Sequence, residues 1–128
     1  MWNYTQANGN DLAFLGDSVW ELYVRTRLLE SGLTKVKDLT QQKQHFVCAE
    51  AHALVMTQLE NKLTEEEHMM YQRGHNASNH SYRSTLSHQT YQASTGFEAI
   101  LGYLKVSKQE ERLNELCEYA YMLIKESL

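Results

Sequence analysis

Leu12-Ala-Phe-Leu-Gly-Asp-Ser-Val-Trp-Glu-Leu-Tyr-Val24 is apolar at nearly every position, interrupted only by Gly16, Asp17, Ser18 and Glu21. An α-helix that is hydrophobic around most of its circumference is a buried helix. The stretch therefore predicts a core helix, capped by Asn10 and ending near Glu30, before Ser31-Gly32. Asp17 is the anomaly in it, because an unpaired carboxylate in apolar surroundings is expensive. Glu21 lies one turn further on and adds a second negative charge to the same stripe.

Working outward, helical spacing recurs almost everywhere. Lys35 to Leu39 predicts a short helical turn, and Gln41 to Leu59 a longer helix with Phe46, Val47, Ala51, Leu54 and Val55 on its apolar face. Thr64-Glu-Glu-Glu67 matches a capping box and opens a helix reaching about Gly74. Residues 75–87, rich in Ser, Asn and His, read as a loop. Helical pattern resumes near Thr90 and runs through Glu98 to Lys105. Ser107-Lys-Gln-Glu110 is a second capping box, followed by Leu113, Leu116, Cys117, Ala120, Leu123 and Ile124 at amphipathic spacing. No strand pattern, repeat or linker interrupts the series. The prediction is one all-α domain over residues 1–128, a bundle of about six helices.

Composition agrees. The chain has 128 residues and no proline, where average usage would give about six, and proline is the residue that breaks helix interiors. Cys48 and Cys117 fall in helical segments and read as small apolar residues under reducing conditions. The first residues lack the basic start and apolar run of a signal peptide, and no apolar stretch of about 18 residues spans a membrane. The expected location is the cytoplasm, with no membrane partner. A formal charge of −4 excludes a generic basic nucleic-acid binder. The acids are unevenly spread, however. Residues 68–97 contain none, and they carry Arg73, Arg83, His68, His75, His80 and His88. This neutral-to-positive window is either a nucleic-acid-facing surface or a solvated loop.

Glu98 repeats the anomaly of Asp17, flanked by Phe97, Ala99, Ile100 and Leu101. Gly16 beside Asp17, and Gly96 and Gly102 around Glu98, would allow two helix backbones to approach closely. A close crossing would join the two carboxylates into a hard oxygen site suited to Mg²⁺ or Mn²⁺. The competing reading pairs each acid with Arg25, Arg73 or another base, and the residues alone leave both readings open.

Phe14-Leu-Gly-Asp-Ser-Val-Trp20 resembles the signature helix of ribonuclease III, and Phe97-Glu-Ala-Ile-Leu-Gly-Tyr103 resembles that family's second catalytic helix. Glu21, Tyr23-Val-Arg25, Arg73-Gly-His-Asn-Ala77 and Ser94 to Ala99 narrow the resemblance to Mini-ribonuclease III, the subfamily that lacks a double-stranded-RNA-binding domain. The resemblance covers essentially the whole chain. It implies a homodimeric, metal-dependent endoribonuclease that leaves 5′-phosphate and 3′-hydroxyl ends. Asp17 and Glu98 are then the catalytic residues and the ligands of Mg²⁺, with Mn²⁺ as a substitute. Glu21 stands behind them, at a dimer contact, or paired with Arg25.

The departures from full-length ribonuclease III are Ala13 and Thr95, where that family has further carboxylates. Both losses are shared by the subfamily, so they do not imply inactivity. Waters and substrate phosphate oxygens are expected to fill the vacated positions. His75 stands where the subfamily has Arg, which weakens a phosphate contact near neutral pH. Without a separate binding domain, the RNA surface falls to Arg73, His75, Asn76, His80, Arg83 and His88, extended by Lys35, Lys37 and Lys43. The implied dimer places the signature helix on the two-fold axis, which would bury the apolar side that one subunit's core leaves over. The resemblance points to maturation of precursors of large-subunit (23S) ribosomal RNA, with a ribosomal protein as a further partner.

Weaker signals are read conservatively. His45 and His52 stand seven residues apart, about 10 Å along one helix face, too far to share an ion, and are assigned to solvated surface. Met69 and Met70 are assigned to the core, while Tyr71, Tyr82 and Tyr91 fit either packing or base stacking. Two rivals stand beside the nuclease: an inactive ribonuclease III-like module that binds RNA or ribosomes, and a metal-dependent phosphohydrolase of small molecules. The absence of an adjacent His-Asp pair counts against the latter.

Overall fold

Helix α1 (Gly9–Glu30) begins two residues earlier than the sequence suggests. Asn8 caps it, its side-chain oxygen accepting from the Asp11 N–H at 2.9 Å. Asn10 lies inside the first turn, and its side-chain amide donates outward to the Ala77 carbonyl at 2.9 Å. The computed structural model describes residues 2–77 and 87–128. Within them follow α2 (Val36–Val47), α3 (Ala49–Leu59), α4 (Glu65–Ala77), α5 (His88–Val106) and α6 (Glu110–Ser127), with 3-10 turns at Tyr4–Gln6 and Glu60–Lys62. The described residues contain six α-helices and no strand, as the all-α prediction required. None of these helices is long and apolar enough to cross a membrane.

The break between α2 and α3 falls at Cys48 and not near Thr40. Cys48 is extended (φ −78°, ψ 156°), which releases the last carbonyls of α2 from helical bonding. One of them, on Phe46, accepts the Trp20 Nε1–H at 2.8 Å in the core. A buried indole needs an acceptor, and the broken helix supplies one. Three other expectations are corrected. α4 continues through His75 and Asn76 to Ala77. Ser107 closes α5, its hydroxyl donating to the Tyr103 carbonyl at 2.6 Å, so it caps no helix start; α6 opens at Glu110 without a side-chain cap. Met69 is half exposed, and of the methionine pair only Met70 is buried.

The helix buried on all sides is α5, not α1. From Ser94 to Leu104 every residue except Glu98 is buried, and α1, α3, α4 and α6 pack around it. Helix α1 buries Leu12, Ala13, Gly16, Trp20, Val24 and Leu28, but leaves Phe14, Leu22 and Leu29 exposed by 85%, 69% and 59%. Its all-round apolarity is thus only partly covered by the residues described.

α1 and α5 cross backbone to backbone. A methyl group on Gly16 would collide with the Glu98 carbonyl, and one on Gly102 with the Leu12 carbonyl. Gly74 of α4 meets Ala99 Cβ, the Thr95 carbonyl and Gly96 Cα, so α4 lies along the other flank of the same segment of α5. The collisions at Gly16 and Gly102 are with backbone, which no rotamer change relieves.

The capping box at Thr64 is formed as expected: Glu67 N–H donates to Thr64 Oγ1 at 3.2 Å and Thr64 N–H to Glu67 Oε1 at 2.9 Å. Glu67 is 2% exposed and also receives both Nε and Nη2 of Arg112 at 2.8 Å. Burial alone would raise this carboxyl, but the hydrogen bonds from Arg112 and Thr64 outweigh it and hold it below its ordinary 4.5. Arg112 also donates to the Lys62 carbonyl at 2.9 Å, tying α6 to the start of α4.

Two stability measurements check this packing. Gly102→Ala should lower the unfolding free energy in urea by about 1–3 kcal/mol, despite the ~1 kcal/mol by which Ala exceeds Gly in helix propensity; a stabilised variant would contradict the close crossing. Arg112→Leu strands a buried carboxylate and should cost about 3–5 kcal/mol near pH 7. Because the wild-type carboxyl sits below 4.5, its stabilisation is present above that pH and is lost as pH falls through the lower folded value. In the variant, burial without a partner raises the carboxyl, so the deficit should narrow on acidification.

Candidate active site

The α1–α5 crossing decides where the two anomalous acids lie. Gly16 admits the Glu98 carbonyl, so Asp17 and Glu98, each adjacent to that contact, face one another across it. Asp17 is exposed at the rim and Glu98 is half-buried beneath it. The Glu98 carboxyl is pushed up to about 9, first by burial, then by its hydrogen bond with Asp17 and by the Asp17 charge. Two carboxyls in hydrogen-bond contact, one of them largely withdrawn from water, hold either a proton or a cation between them.

No arginine, lysine or histidine among the described residues forms an ion pair with either acid. The bases that the sequence offered as partners are engaged elsewhere. Arg25 Nη2 pairs with Glu21 at 2.8 Å. Arg73 Nη1 donates to the Thr5 and Ala7 carbonyls at 3.0 and 3.1 Å, fastening the N-terminal turn against α4. Glu21 is further drawn to Lys43 Nζ at 3.7 Å, so it belongs to a local ion-pair group one turn away from the carboxylate pair. Among the described residues no third Asp, Glu, His or Cys joins Asp17 and Glu98.

The two positions lacking acids are closed by packing. Ala13 is buried, and Thr95, also buried, donates its hydroxyl to the Tyr91 carbonyl at 3.0 Å. The pair therefore presents a few hard oxygen ligands with no basic side chain paired to them among the described residues. That donor set fits Mg²⁺, which keeps several waters and uses one or two carboxylates.

The remaining candidates distribute unevenly. His75 and Asn76 occupy the last turn of α4, half-buried and exposed respectively, and their side chains meet at 3.3 Å. This turn runs beside the crossing, since Gly74 packs on the residues flanking Glu98 and Asn10 reaches Ala77. His88 is exposed at the first position of α5, where Ser87 caps the helix by accepting from Thr90 N–H at 3.1 Å. His80, Tyr82 and Arg83 lie outside the described residues. Arg73 is partly committed to backbone carbonyls, and Lys35 and Lys37 are exposed on and before α2.

One residue near the site was misread from sequence. His52, assigned to solvated surface, is 1% exposed. Its Nδ1 is hydrogen-bonded to Ser94 Oγ at 2.8 Å, and its ring lies 4.9 Å from Phe97 and edge-on to Trp20 at 6.2 Å. Trp20 and Phe97 themselves meet edge to face at 5.4 Å. Nε2 makes no well-formed hydrogen bond, and burial pushes the imidazole down to about 4 against the opposing pull of the Asp17 charge and the Phe46 carbonyl, so it is neutral near pH 7. The helical phase of Val55, Met56 and Leu59 with Ala51-His52 was the available signal.

The Ribonuclease III domain family matches residues 10–109. Proteins named Mini-ribonuclease 3 from Enterococcus faecalis, Symbiobacterium thermophilum and Streptococcus pneumoniae are similar. The first is 40% identical over 99% of this chain and 98% of its own length. The second is 43% identical over 85% and 84%, and the third 41% over 88% and 89%. A crystal structure of a Fusobacterium nucleatum protein superposes with a TM-score of 0.83 at 28% identity, covering 96% of both chains. The crossing of the two signature helices and the match along most of the chain agree: the protein belongs to the ribonuclease III family, alongside the Mini-ribonuclease 3 proteins.

Proposed function

We propose that this protein, an endoribonuclease by family, cuts double-stranded or structured RNA at the Asp17–Glu98 pair with the help of Mg²⁺, for which Mn²⁺ can substitute. The observation that carries this reading is the apposition of the two carboxyls with no basic side chain paired to either among the described residues, Arg25 and Arg73 being engaged elsewhere. Bound there, Mg²⁺ would lower the pKa of a water and neutralise charge on the scissile phosphate. Asp17, at the rim, is placed to reach toward solvent and substrate, while Glu98 is held from below by α5. The glycine crossing fixes their relative position before substrate arrives, and phosphodiester cleavage depends mainly on such positioning and electrostatic stabilisation. The products are a 5′-phosphate and a 3′-hydroxyl.

Duplex RNA is recognised through phosphates and 2′-hydroxyls across the minor groove. His75, Asn76 and His88 stand on the acid-free segment beside the pair, and His80 and Arg83 belong to the same segment. Arg73 contributes through one guanidinium edge while the other holds the N-terminal turn. The natural substrate is a precursor of 23S ribosomal RNA, processed in the cytoplasm, with a ribosomal protein as an additional partner. An inactive RNA-binding module is disfavoured, because a binder gains nothing from two apposed carboxyls with no basic partner among the described residues.

The working form is a homodimer. Phe14, Leu22 and Leu29 make one exposed apolar stripe along α1, with Val36 beside it at 76% exposure. The stripe borders a cavity of about 190 Å³ walled by Leu28, Leu39 and the stems of Arg25 and Lys43. Large apolar side chains exposed along one helix favour an association site, and a two-fold axis would let this face of α1 cover itself.

Asp17→Asn keeps the shape of the side chain and removes its charge. The variant should remain folded and lose more cleavage of duplex RNA than the ~10–100-fold typical for losing an outer partner of a metal ligand; normal cleavage would overturn the assignment. Leu22→Asp should convert a species of twice the 14.9 kDa chain mass into a monomer by light scattering. An unchanged mass would place the dimer contact elsewhere.

A further inference from the structure

We infer that His52 is a positioning residue for the carboxylate pair, setting the rotation of α5, and with it Glu98, through its hydrogen bond to Ser94. The inference rests on the proposed role of Asp17 and Glu98. Its geometry involves four helices. Ser94 lies four residues before Glu98, one turn away on the same side of α5. His52 of α3 is bonded to it at 2.8 Å. The same imidazole is flanked by Phe97, the residue preceding Glu98, and by Trp20, three residues beyond Asp17. Trp20 is fixed in turn by the free Phe46 carbonyl at the end of α2.

Space filling alone does not account for a histidine here. A neutral imidazole with one nitrogen lacking a well-formed hydrogen bond in a 1% exposed site carries a desolvation cost that Phe or Leu would avoid. What it adds is a directional contact. Apolar rings leave a helix some freedom to rotate about its axis, and α5 contacts most of its neighbours through such groups and through glycines. A rotation of ~10° would carry a carboxylate ~6 Å from the axis by about 1 Å, and an error of that size in a catalytic site costs about 10²-fold. The Nδ1–Ser94 bond resists that rotation one turn below Glu98.

The test measures RNA cleavage by His52→Phe, His52→Asn and Ser94→Ala across a Mg²⁺ series, with unfolding curves for each and Asp17→Asn in the same assay. Asn carries its amide at the branch position of Nδ1 and can restore the bond. Expected results are a folded His52→Phe with kcat reduced by about 10-fold or more, a raised half-saturating Mg²⁺ concentration and an unchanged KM for RNA. His52→Asn should recover most of the loss, and Ser94→Ala should reproduce it. Combining His52→Phe with Ser94→Ala should add little to either. If His52→Phe fails to fold, Ser94→Ala, which deletes one hydroxyl, carries the comparison. The inference is overturned if the folded variants keep the wild-type Mg²⁺ requirement and kcat, or if activity falls only in proportion to the unfolded fraction. An active Asp17→Asn would overturn the underlying assignment instead, independently of His52.

Discussion

The backbone contact of α1 with α5 at Gly16 and Gly102 is the constraint on which the rest depends. It brings two helices closer than side chains allow and leaves no room for a Cβ at the crossing. Once α1 lies there, α5 is sealed on that flank. α4 completes the enclosure through Gly74 and Gly96, and α3 closes it with His52 and Val55. The functional consequence is immediate: the residues beside the contact, Asp17 and Glu98, are placed opposite one another by main chain and not by flexible side-chain packing. A pair held this way has little freedom to separate.

Among the described residues no base is paired with either acid. Arg25 and Lys43 are drawn to Glu21, Arg73 to the Thr5 and Ala7 carbonyls, and Arg112 to Glu67 on the far side of α4. Glu67 shows what the chain does when it buries a carboxylate for structure: it supplies a forked guanidinium and a capping N–H. Glu98 is given no base among the described residues, and burial together with the facing Asp17 drives it upward to about 9, where Glu67 is driven down. The opposite treatment of two shielded glutamates in one small chain separates the site from the scaffold.

Much of this was legible in the sequence, for identifiable reasons. The helices announced themselves through 3.6-residue periodicity and the lack of proline, and the Thr64–Glu67 box formed as its residues demand. Asp17 and Glu98 stood out because charge in an apolar run is costly, and the glycines beside them indicated a close crossing. Other features depended on tertiary choices that local pattern does not encode. The break at Cys48 follows from the need of Trp20 for the Phe46 carbonyl, 26 residues away. The apolarity of α1 reads identically whether its second face meets its own chain or another surface. His52 reads as surface by its polarity alone, and its partner Ser94 lies 42 residues further along the chain.

The central claim, that Asp17 and Glu98 hold a divalent metal, is most directly tested by anomalous diffraction from a crystal of this protein soaked in Mn²⁺. The account predicts a peak between the two carboxylates, with oxygen ligands near 2.0–2.2 Å as a small hard cation requires and the remaining positions taken by water. A pair that stays metal-free at saturating Mn²⁺, with a basic side chain seated between the carboxylates, would contradict it.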